Sequence, residues 1–144
     1  MKIHQQIASL LLRIALASGF LSAVASRLSL WGSHSSGWNN FLTYTAQVNS
    51  YIPKFSIPAI AIASTILETG LGILLLIGYK TTLAAFTASI LTLLFALSMA
   101  VSFGIKEPID YSVPAFSAAA LLLATMPCYK WSIDQLLINK FYTK

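Results

Sequence analysis

Few residues in this chain have types that could do chemistry, and their spacing narrows what that chemistry is. There is one cysteine, Cys128, so neither an internal disulfide nor a thiol pair for exchange can form. The two histidines, His4 and His34, stand far apart, and no ligand spacing for a metal cluster accompanies them. Serine, lysine and histidine occur, but at no spacing that matches a nucleophile motif. The chain is therefore read as non-catalytic on its own, with no cofactor held by its own ligands. The informative residues are the charges inside apolar runs: Arg13, Arg27 and Glu68. A charged side chain at membrane depth costs several kcal/mol unless paired or hydrated, and such residues mark ligand or ion sites by default.

Composition says why those runs are read as membrane spans. Of 144 residues, 57% are hydrophobic and only 9% charged, against about 25% charged in soluble domains. Too little charge remains to cover a water-facing surface, so lipid is the expected solvent. The net charge of +5 is spread singly along the chain. It forms no basic patch of the kind nucleic acid requires, and it is read as setting topology instead.

A spanning helix needs about 20 apolar residues. Four segments approach this: 7–30, 58–78, 82–103 and 111–127, the last short and carrying Pro114 near its start. Gly78 and Lys80 mark a tight hairpin between the second and third. Lys106 to Asp110, with Pro108, mark the turn before the fourth. In the long connection 31–55, Phe41, Leu42, Thr45, Val48 and Ile52 recur at helical spacing, predicting an amphipathic helix over 38–52 that lies on the membrane or caps the bundle. Trp31, Trp38, Tyr51, Tyr79, Tyr111, Tyr129 and Trp131 fall where aromatic rings sit at headgroup level. The tail 128–144 is amphipathic, with Ile133, Leu136, Leu137 and Phe141 against Lys130, Asp134, Lys140 and Lys144. The expected fold is an all-α membrane protein: one domain over 1–144, a four-transmembrane-helix bundle with an amphipathic helical loop between helices 1 and 2.

Four spans put both termini on one side, with Lys2, Lys80, Lys130, Lys140 and Lys144. Arg27, Lys54 and Lys106 lie on the other, so the positive-inside rule places the termini in the cytoplasm. Lys2, the apolar run and Ala23 to Ala25 imitate a cleavable signal peptide, a reading that Arg13 inside the run weakens.

Small residues spaced for close helix approach are expected at packing faces: Ala15, Gly19 and Ala23 in the first span, Gly72 in the second, Ala84, Ala85, Ala88 and Ser89 in the third, and 118–120 in the fourth. Glu68 lies mid-span, sharing a face with Ser64, Thr65 and Gly72. Helical side chains lean toward their own N-terminus. In antiparallel spans, Arg27 and Glu68 therefore lean toward each other, while Arg13 leans away. The expectation is an outer-half polar cluster of Arg27 and Glu68, with Asp110 as a third member and Arg13 snorkelling to cytoplasmic headgroups.

Three stretches carry a family resemblance. They are Leu12 and Arg13 followed by Ala17 to Phe20 and Ser26 to Leu28; Glu68 through the leucine run and Gly78 to Phe86; and Tyr129 to Asp134. Together they resemble the DoxX family of small membrane proteins. The chain departs from that pattern near Thr82, where the family usually has a basic residue, and near Pro127, where it usually has a glycine. The resemblance implies a bacterial inner-membrane bundle. It also implies kinship with quinone-linked redox assemblies, so that a quinone or a redox protein partner comes from the resemblance alone. Two functions follow as expectations. One is an accessory subunit of a membrane redox assembly, docking a partner that holds the cofactor. The other is binding or transport of a small, quinone-like ligand at a polar site around Glu68.

Overall fold

The computed structural model describes residues 2–142. Lys144 and the side chain of Phe141, expected on the amphipathic tail, lie outside the described residues. All regular structure among the described residues is helical. The α-helices are α1 (Ile3–Arg27), α2 (Trp38–Val48), α3 (Ile57–Ile77), α4 (Thr81–Phe103), α5 (Lys106–Asp110), α6 (Val113–Ala124) and α7 (Ile133–Tyr142).

Three of these helices, α1, α3 with the short turn before it, and α4, are long and apolar enough to cross a membrane. Their most apolar windows have mean hydropathy of 1.9 to 2.1, yet only 33–39% of those residues are buried inside the protein. The rest turn outward: Leu11, Ile66, Leu83, Leu94 and Leu97 are all exposed. Surface this apolar is unstable in water and is what a hydrocarbon solvent requires. The fourth expected span is shorter than 111–127. Helix α6 has 12 residues, or about 18 Å of rise against a hydrocarbon core of about 30 Å. Ser112 adopts a left-handed φ of +56° before it, and helix ends again at Thr125.

The core draws on four helices: Leu16, Ala17 and Phe20 of α1, Leu71 and Leu75 of α3, Ala84, Ala85 and Ala88 of α4, and Ala120 and Leu123 of α6. Helix α1 packs chiefly on α3, and α4 on α6. Alanines let the α4 and α6 backbones approach, and the Ser117 hydroxyl donates across to the Ser89 carbonyl at 2.8 Å. On the α1–α3 contact, Gly72 lies so close that a Cβ would come within 2.8 Å of Leu21. Of the small residues expected at a packing face in α1, Gly19 does meet α6, where a Cβ would come within 2.8 Å of the Phe116 ring, but most of the buried face is a different one. Ser9, Arg13, Leu16, Ala17, Phe20 and Val24 are buried, whereas Ala15, Gly19 and Ala23 line an open groove.

Helix α2 is a cap. Gly37, at φ +77°, starts it, and Thr45 and Val48 are its buried residues. Ser102 of α4 donates to the Val48 carbonyl at 2.6 Å, and the Tyr51 and Ser98 hydroxyls lie 2.8 Å apart. Tyr44 stacks on Phe103 with centroids 6.3 Å apart. The amphipathic stripe of 38–52 thus faces α3 and α4, over a helix four residues shorter than its pattern.

Candidate functional site

Glu68 is 2% exposed and sits mid-way along α3, beneath α2. Arg27, the last residue of α1, reaches it, with Nη2 2.8 Å from one carboxylate oxygen and 3.0 Å from the other. The opposed lean of antiparallel helices brings these two ends together. Arg27 Nη1 donates to the Thr65 hydroxyl at 3.3 Å, and the Phe41 ring of α2 covers the guanidinium at 3.9 Å. A cation over an aromatic face is worth about 0.5–2 kcal/mol, more as it is desolvated. Phe41 and Thr65 are therefore partners of the ion pair. The α2 periodicity contained Phe41, but nothing in the sequence said that it would meet Arg27.

Beside this pair is a cavity of about 150 Å³ between α2, α3 and α4. Tyr44, Asn49, Ser64, Phe95 and Met99 line it together with Arg27 and Glu68. A space of this size accommodates a benzene-sized ring. Few polar groups converge on a largely apolar wall, the pattern of small-molecule sites. Tyr44 stands at its edge. Burial, then the neighbouring Tyr111 and Glu107, push its hydroxyl above the ordinary tyrosine value, so it stays a neutral donor.

The other two expected members lie elsewhere. Asp110 is exposed, and its ion pair is with Lys106, one turn earlier in α5. Arg13 is the larger correction, because it does not snorkel. It leans toward the α1 N-terminus as expected, but at 1% exposure it ends inside the protein. Its Nε donates to the Leu75 carbonyl at 3.1 Å and Nη2 to Leu76 at 3.2 Å. Nη1 donates to Lys130 at 3.2 Å and to Trp131 at 3.3 Å. The last turn of α3 carries unsatisfied carbonyls and partial negative charge. Those acceptors replace headgroups, and Arg13 becomes a structural clamp.

The same clamp explains the closing motif. The Asp134 carboxylate accepts from Lys80 and Thr81 backbone N–H groups at 2.8 Å each, capping α4, and Asp134 N–H donates to Gly78 at 3.0 Å. The Ser132 hydroxyl accepts from Gln135 N–H at the start of α7. Tyr129, expected as an interfacial ring, is 7% exposed. Its hydroxyl donates to Leu123 O at 3.0 Å and pairs with Thr82.

Apolar helices with outward-facing leucine and isoleucine, enclosing a buried ion pair, define an integral membrane protein. The chain belongs to the DoxX family, whose sequence model matches residues 8–102, from α1 through nearly all of α4. The match ends before α6 and the closing motif. No curated protein and no solved structure matches the chain.

Proposed function

We propose that this DoxX-family protein binds a small, quinone-like molecule at the Arg27–Glu68 pair, within a four-span bundle of the bacterial inner membrane. In this reading α6, with the residues flanking it, is the fourth span. Its seat against α4 supports that assignment. Both termini are cytoplasmic, on the side of Lys2, Lys80, Lys130 and Lys140, which places the ligand cavity in the outer half beneath α2.

One observation carries the reading: a buried ion pair borders a ring-sized cavity instead of being sealed by packing. A pair serving only to fix helix register needs no adjoining space. The test is binding of a tail-less methoxy-substituted benzoquinone to the purified protein, followed by calorimetry in detergent. Wild type binds, and Glu68→Gln, of the same shape, weakens binding by about tenfold or more. Equal binding by the two proteins would sink the proposal.

The accessory-subunit reading has its own support in Phe55. This ring is 85% exposed beside Lys54, on the α2 side of the bundle, and is available to a partner or to headgroups. Recovery of a redox protein from mild detergent with wild type, and its loss with Phe55→Ser, is the expected outcome. A solitary protein in both cases rejects it.

A further inference from the structure

The cavity does not end at the ion pair. A groove runs from it between α1 and α6, lined by Leu12, Ala15, Gly19 and Ala23 on one wall and Ala115 and Phe116 on the other. Arg27 and Glu68 line both spaces, so groove and cavity meet at the pair. Leu12 and Arg27 are about 22 Å apart along α1, most of the roughly 30 Å hydrocarbon thickness. Ala15, Gly19 and Ala115 are exposed along it, so the groove opens sideways to lipid. At its waist the Phe116 ring lies over Gly19, where a Cβ would come within 2.8 Å of the ring.

The chemistry at the inner end restricts the occupant. With Glu68 ionised the Arg27–Glu68 pair has no net charge, and Glu68 is 2% exposed. A charged head would leave one charge uncompensated at this depth, at a cost of several kcal/mol. A neutral head is free of that cost. Arg27 has five N–H donors, and among the described residues its bonds to the protein are made by Nη1 and Nη2. Nε remains to donate to an oxygen on the head.

We infer that the ligand is a neutral amphiphile entering from the bilayer. Its oxygen-bearing head sits at Arg27 under Phe41, and its apolar chain lies in the α1–α6 groove. This rests on the ligand-binding reading above and adds the chain, the route and the charge. Two membrane molecules share the chemistry, an isoprenoid quinone and a diacylglycerol.

Native mass spectrometry of the full chain released from micelles separates them. The probes are an isoprenoid benzoquinone, its tail-less counterpart, dioleoylglycerol and, as an anionic control, dioleoylphosphatidylglycerol. The tailed quinone, the diacylglycerol or both bind about tenfold more tightly than the tail-less ring, and whichever binds identifies the source. Ala15→Trp and Ala115→Trp each obstruct the groove from an exposed helix position. Each brings the ratio of tailed to tail-less binding to about one, with thermal unfolding of the variants as the check on folding. Tailed and tail-less quinone binding alike in all three proteins overturns the groove and leaves the polar cavity standing. Preference for the anionic lipid overturns the neutral head. Binding of every probe that Glu68→Gln leaves unchanged removes the cavity reading as well.

Discussion

Gly78 has no side chain because Arg13 occupies the space one would need: a Cβ at Gly78 would lie 2.4 Å from Arg13 Nη2. Ser132 Cβ closes the other side at the same 2.4 Å, and the residue has φ +68°. Glycine is thus required here twice, for its left-handed backbone and for the guanidinium packed against it. Gly78→Ala should destabilise the protein by at least about 1–2 kcal/mol from the backbone alone, with more from the clash. Thermal unfolding in detergent measures this. Gly70→Ala is the control, since a Cβ there meets nothing within 4 Å, and it should be neutral or slightly stabilising.

Arg13→Lys keeps the charge but loses the fork that reaches four carbonyls on two segments. A lysine ammonium can satisfy one of the two segments, not both. The expected loss is about 1–3 kcal/mol, the cost of leaving buried acceptors unmade. Faster proteolysis around Lys130 should accompany it. Wild-type resistance in the variant would show that the clamp is dispensable.

Asp134→Ala removes the cap from α4, where one carboxylate accepts from two backbone N–H groups. Loss of a cap costs about 0.5–2 kcal/mol. Asp134→Asn should recover part of it, because its carbonyl oxygen can still accept one bond. Equal stability of the alanine variant and wild type counts against the cap.

Arg27→Met leaves Glu68 buried without its cation and should cost about 3–5 kcal/mol. Adding Glu68→Gln to that variant removes the stranded charge and should restore much of the loss. The double-mutant cycle then gives the coupling of the pair directly. Additive single effects would mean that the 2.8 Å contact contributes nothing of its own.

How much of this could be read in advance depended on whether local geometry decides the outcome. The direction in which helical side chains lean decides that Arg27 and Glu68 approach each other, and two sequence positions are enough to see it. The hairpin at Gly78 was legible for the same reason, as a glycine stop followed by a lysine. Arg13 was not, because its acceptors are backbone carbonyls, which every residue has and no sequence pattern marks. Asp110 differs as well, since its ion pair is with Lys106 of its own short helix. The small residues Ala15, Gly19 and Ala23 have the spacing of a packing face. Whether such a face meets a helix or an open groove is set by where α6 lies, a tertiary fact with no local signature. The reach of α2 over the ion pair was open for a similar reason: an amphipathic stripe has the same period against lipid as against protein.

Arg13 is made early and completed late. Two of its acceptors, on Lys130 and Trp131, are 117 and 118 residues downstream. During synthesis the first helix must enter the bilayer with a guanidinium whose final partners have not yet left the ribosome. Once α3 follows, the Leu75 and Leu76 carbonyls can receive the guanidinium, but its two later acceptors are still missing. A chain that ends before residue 130 therefore keeps half of the acceptors that Arg13 has in the finished protein.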